Sequence, residues 1–88
     1  MKQKIVFGKW VLELVSSNMI VVTVGNASRE YKVSDVVNME HAGEYVYLQH
    51  NDYSYTQVKF EVNDTLVIDK FNKKDEHLEM IGYWWFVE

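Results

Sequence analysis

The chain has 88 residues, a formal net charge of −4, and neither cysteine nor proline. The missing cysteines exclude a disulfide framework and a thiolate zinc site. The acidic balance argues against a nucleic-acid backbone as the main partner, because that affinity comes from Lys and Arg. The length sets a single domain over residues 1–88, which buries roughly 60–65% of its unfolded surface. No apolar stretch approaches the ~18 residues that cross a bilayer. Met1 to Trp10 lack the apolar run and small-residue cleavage site of a signal peptide. A cytoplasmic setting without membrane contact is expected.

Residues 4–15 read as one long strand interrupted by Gly8, with Val6, Trp10, Leu12 and Leu14 on one face. Ser16-Ser17-Asn18 is a turn. Met19 to Val24 is a continuous apolar run rich in β-branched residues, as in a strand buried on both sides or in the middle of a sheet. Gly25-Asn26 ends it, and Ser28 to Val33 form a short third strand. Ser34 is placed to cap a short helix near 35–42, with Gly43 ending it in the left-handed conformation. The Val36-Val37 pair suits a strand equally well.

The segment from Glu44 to Val62 is the most regular of the chain. Val46, Leu48, Val58, Phe60 and Val62 fall in one period-two set, and Tyr45, Tyr47, Gln49, Tyr53, Tyr55, Gln57, Lys59 and Glu61 in the other. This alternation predicts two half-buried strands. An odd loop such as His50-Asn51-Asp52 pairs Gln49 with Tyr53 and Tyr47 with Tyr55, keeping the two sets apart; an even loop mixes them. Burial of one face selects the odd loop, with Asn or Asp in the left-handed position. The tyrosines then share one non-core face. After the Asn63-Asp64 turn, Leu66 to Phe71 form a further strand. In Leu78 to Val87, Leu78, Met80, Trp84 and Phe86 alternate with Glu79, Ile81, Tyr83, Trp85 and Val87, and Gly82 marks a bulge or bend.

These elements predict a mainly β fold, a small antiparallel meander forming a bent sheet or barrel of six to seven strands. Gly8-Lys9-Trp10 resembles the Gly-x-Trp signature of lipocalin-type barrels. The resemblance covers three residues and implies an eight-stranded apolar-ligand carrier, usually built from a much longer chain. Packing of Trp10 at the base of a small core accounts for the tripeptide as well.

Chemistry-bearing patterns are few. His41, His50 and His77 fall in or beside predicted loops without the spacing of a zinc site, so no metal is expected and the histidines read as solvated. There is no Gly-x-Ser-x-Gly elbow, no phosphate-binding glycine loop and no cysteine nucleophile, so the chain reads as non-catalytic and cofactor-free. The expected working surface is Tyr45, Tyr47, Tyr53 and Tyr55, extended by Trp85, binding another protein or a second copy of the chain. Tyr gives large contact area at low entropy cost. Inhibitor, accessory and immunity-type proteins suit such a chain. The alternatives are a small nucleic-acid-binding β-barrel that stacks bases on sheet aromatics, for which Lys59 is the one basic residue in the hairpin, and the lipocalin-like carrier.

Overall fold

Hairpin turns set this architecture. The computed structural model describes residues 3–87. These form nine strands and no helix: β1 (Gln3–Phe7), β2 (Trp10–Ser16), β3 (Met19–Val24), β4 (Ala27–Lys32), β5 (Val36–Ala42), β6 (Tyr45–His50), β7 (Tyr55–Glu61), β8 (Thr65–Phe71) and β9 (His77–Trp85). Strands β1 to β4 form one antiparallel sheet in chain order, and β5 to β9 form a second. The sheets do not close into a barrel; the fold is a bent meander, with more strands than the six to seven expected.

One extra strand comes from a turn that the alternation concealed, and the other from the segment expected as a helix. Gly8-Lys9 is a two-residue hairpin loop, with Phe7 opposite Trp10 and Gly8 at φ +58°. Glycine adopts that conformation without a Cβ penalty. The single strand expected over 4–15 is therefore the β1–β2 hairpin, and Gly8-Lys9-Trp10 is its turn. The hairpin also reverses a face. Ile5 and Phe7 join Trp10, Leu12 and Leu14 toward the core, and Val6 is 59% exposed. Residues 36–42 are strand β5, not a helix. Gly43 does take a positive φ, but in the Gly43-Glu44 loop that pairs Ala42 with Tyr45. The β-branched Val36-Val37 pair and pairing with β6 along its length outweigh the capping signal of Ser34.

One core lies between the sheets. Trp10, Leu12, Leu14, Ile20, Val22 and Val24 from the first face Val46, Leu48, Val58, Phe60, Leu66, Ile68 and Trp84 from the second. Full burial of each such aliphatic side chain contributes about 1.5–3 kcal/mol relative to exposure. Phe60 anchors the layer: its ring stacks on Phe7 at 5.3 Å and tilts against Trp10 at 6.1 Å. Trp84 meets Trp10 edge-on at 5.5 Å. Arg29 of β4 lies over the Trp84 ring, 4.4 Å from its centroid.

The crossover between sheets is pinned at Val33 to Val36, whose amides donate to Asn18 O and Ser17 O at 3.0 and 2.6 Å. At the opposite end the Gly8-Lys9 turn reaches the second sheet through Lys9 and Asp64, 3.0 Å apart. Gly82 touches the other sheet directly; a Cβ there would lie 2.4 Å from the Tyr31 ring. Its neighbour Ile81 is the extra residue of a bulge, since Ile68 pairs with Gly82 but Asp69 with Met80. That bulge turns Met80 outward, and a second one between the Lys70–Glu79 and Phe71–His77 pairs leaves Leu78 as its extra residue, so both are exposed rather than aligned with Trp84.

Candidate functional site

The expected register of the β6–β7 hairpin holds in parity and shifts by two residues. Gln49 pairs with Tyr55, Tyr47 with Gln57 and Tyr45 with Lys59. His50 N donates to Ser54 O at 2.9 Å, so the odd loop is Asn51-Asp52-Tyr53 rather than His50-Asn51-Asp52. Asp52 organises it by accepting from Ser54 N and Ser54 Oγ at 3.1 and 2.5 Å, which lowers the carboxyl pKa below its usual value. The left-handed position falls to Tyr53, at φ 70°. Tyr53 therefore leaves the sheet and stands at the loop tip, 80% exposed. Val46, Leu48, Val58 and Phe60 are buried as the alternation requires. Val62 is the exception at 97% exposure, because β7 ends at Glu61 and Val62 opens the next turn.

The three sheet tyrosines come together on the face away from the core. Tyr45 and Tyr47 stack with centroids 5.9 Å apart, and Tyr47 meets Tyr55 edge-on at 6.0 Å. The row continues beyond the tyrosines: Tyr55 stacks on Phe71 at 5.2 Å, and Phe71 meets His77 edge-on at 5.5 Å. A ladder of five rings thus crosses β6, β7, β8 and β9. Sequence reasoning missed Phe71, yet the signal was present. The β7–β8 loop Val62-Asn63-Asp64 is also odd, with Glu61 opposite Thr65, and this sets Phe71 opposite Tyr55.

Trp85 lies on the same outer face, opposite Thr65 and 63% exposed. The bulge precedes Gly82, so pairing from Gly82 to Trp85 stays regular and Trp85 points outward while Trp84 points in. Tyr83 sits in the row of Val67, Lys59 and Tyr45. The outer face therefore carries aromatics at both ends of β9.

Polar groups tie the ladder down. The Tyr55 hydroxyl donates to Asp75 Oδ1 at 2.9 Å, and burial together with that bond pushes its pKa up to about 12. His77 Nε2 donates to Asp69 Oδ1 at 2.8 Å. Lys59 Nζ lies 5.6 Å from the Tyr45 ring centroid and 3.7 Å from Glu61.

His50 is not a solvated loop residue. It is 3% exposed. Its Nδ1 donates to the Asp35 carbonyl at 3.1 Å, and Nε2 accepts from the Thr56 hydroxyl at 2.6 Å. Burial lowers its pKa. The ring joins the crossover to the β6–β7 hairpin, a structural role that its position beside a predicted turn concealed.

Among the described residues no three His, Cys, Asp or Glu side chains gather where they could hold a metal ion, and no helix is long and apolar enough to cross a membrane. Two open hollows of about 420 and 340 Å³ flank Lys70, which donates to Ser34 Oγ at 2.8 Å. Lys32 lines the first hollow, and Lys73 and Lys74 the second. No protein-family model, no curated protein and no solved structure matches this chain.

Proposed function

We propose that the protein is a small non-catalytic binding domain whose working surface is the outer face of the five-stranded sheet. The observation that carries the reading is the ring ladder from Tyr45 to His77, continued on the same face by exposed Tyr83 and Trp85. These rings are not required by the core, which Phe60, Trp10 and Trp84 already fill. Tyr and Trp on a rigid sheet present contact area with little ordering cost on binding. The occupant is another protein, in the manner of an inhibitor, accessory subunit or immunity-type protein. Tyr45, Tyr47 and Tyr55 form the centre, Phe71 extends it, and Tyr53 and Trp85 contribute from the loop tip and from β9.

Affinity capture from the native host with the wild-type chain, Tyr47→Ala and Tyr55→Ala in parallel tests the reading. Each substitution is expected to weaken capture of the same partner by about 1–3 kcal/mol while leaving the fold intact. Normal capture by both variants, or unfolding of both, means the tyrosines only stabilise the sheet.

A further inference from the structure

The charged groups beside the ladder bear on what the aromatic face accepts. Carboxylates surround the ladder. Glu40 lies directly across from Tyr47 on β5, Asp69 lies one strand beyond Gln57 in the same row, and Asp75 receives the Tyr55 hydroxyl. The fixed cation of the neighbouring rows is Lys59, already engaged with Glu61. Lys32, Lys70, Lys73 and Lys74 line the two hollows, where Asp52, Glu76 and Glu79 stand beside them. Aromatic faces attract cations most strongly where they are partly desolvated, and Lys59 over Tyr45 and Arg29 over Trp84 are two such contacts within the fold.

We propose that the face binds a cationic, arginine-bearing segment of its protein partner, with guanidinium groups on the Tyr47–Tyr55 rings and paired to Glu40 and Asp69. Arginine suits this geometry better than lysine because its planar group stacks on rings and pairs with carboxylates in two-point fashion. Asp69 uses Oδ1 for His77, and its other oxygen supplies an acceptor. Spacing adds a constraint. Glu40 and Asp69 are three strands apart in one row, about 14–15 Å at the usual separation of paired strands. Arginines four residues apart on an extended chain span about 13–14 Å, so an Arg-x-x-x-Arg segment meets both carboxylates.

The inference rests on the partner-binding reading above, and its test is separate from the capture experiment. The probes are three blocked peptides, Arg-Gly-Ser-Gly-Arg and its Lys and Glu counterparts, titrated into ¹⁵N-labelled full-length protein. The arginine peptide is expected to shift the amides around Tyr47, Tyr55, Gln57 and Asp69 saturably. The lysine peptide is expected to bind about 2–5-fold more weakly, and the glutamate peptide not at all. Glu40→Gln and, separately, Asp69→Asn should each reduce the arginine-peptide affinity. Glu40 is exposed on the edge strand β5, so Glu40→Gln retains the fold and keeps the test decisive even where Asp69→Asn disturbs His77. Shifts that spread over all acidic surfaces, equal affinity for the lysine peptide, or no change in Glu40→Gln would overturn the assignment. Loss of partner capture in Tyr47→Ala and Tyr55→Ala without any arginine-peptide response would keep the face as a binding surface and refute its cationic specificity.

Discussion

The outer face of the four-stranded sheet carries Lys4, Val6, Val11, Val21, Thr23, Ser28 and Glu30, while that of the five-stranded sheet carries Tyr45, Tyr47, Tyr55, Phe71, Tyr83 and Trp85. Both sheets follow the same pleat and both send aromatics inward. Phe7, Trp10 and Tyr31 point to the core from one side, Phe60 and Trp84 from the other. Outward-facing sheet aromatics belong to the second sheet alone among the described residues. Burial explains the inward rings in both sheets equally. It does not explain a one-sided surplus, and the proposed working surface rests on this asymmetry.

The shared core is the common term of the comparison, so breaking it should produce the largest effect. Phe60 is 1% exposed and contacts both Phe7 and Trp10 across the layers. Phe60→Ala is expected to cost about 3–5 kcal/mol, enough to unfold a domain with marginal stability. Urea denaturation followed by tryptophan fluorescence measures it. A loss below about 1 kcal/mol, less than core truncations show, means the two sheets do not depend on this ring for their docking.

Next in size is the contact at the sheet edges. The Cβ introduced by Gly82→Ala would collide with the Tyr31 ring, whose nearest atom lies 2.4 Å away. Tyr31 is part of the packing, so either ring or strand must shift, at a cost of about 1–3 kcal/mol. A double-mutant cycle with Tyr31→Ala sharpens the point. The cost of Gly82→Ala should shrink in the Tyr31→Ala background, because the clash is then gone. An unchanged cost locates the strain in the β9 backbone instead.

How much of this was legible in the sequence depends on what each local pattern encoded. Alternation over Tyr45 to Glu61 carried strand identity, inward residues and hairpin parity, because one buried face forbids a one-residue slip. The Gly82 irregularity was also legible, although its extra residue is Ile81. Parity alone did not locate the loop, which is why Tyr53 was placed on the sheet. The Gly8-Lys9 hairpin was hidden because Phe7 and Trp10 meet across a two-residue loop, and a fold-back cannot be told from a continuous strand by composition. Residues 36–42 carried capping signals at both ends and lost them to pairing with β6. His50 shows the remaining limit. Its partners, Asp35 and Thr56, are fixed by tertiary placement and leave no trace in spacing.

The buried histidine gives a pH-dependent measure of the crossover that joins the two sheets. In the folded protein His50 has a lowered pKa, chiefly from burial, with Lys70 acting in the same direction and Asp52 opposing it. The unfolded chain therefore takes up the proton first as pH falls. Stability is complete above the unfolded value of about 6.5 and declines as pH falls from there through the lowered folded value. Asp52 acts in a separate, lower window, since its own pKa lies below 3.8 in the fold. Denaturation midpoints between neutral and mildly acid pH should fall for the wild type and less steeply for His50→Gln. Parallel curves would assign the dependence to other groups.

The smallest expected effect returns to the surface that differs between the sheets. The four-stranded sheet places glycines at positive φ in its Gly8 and Gly25 turns, whereas the β6–β7 loop places Tyr53 there at φ 70°. A bulky residue in the left-handed region costs about 1–2 kcal/mol. Tyr53 is 80% exposed, so its ring recovers little of that by packing. Replacement by glycine relieves the Cβ clash but gives the unfolded chain more freedom. The net gain for Tyr53→Gly should be about 0.5–1 kcal/mol, seen as a higher denaturant midpoint at unchanged slope. In the proposed contact face Tyr53 supplies the exposed ring at the loop tip. The same variant should therefore bind the captured partner more weakly while folding more stably. Higher stability with undiminished binding would confine the working surface to the sheet rings and leave Tyr53 outside it.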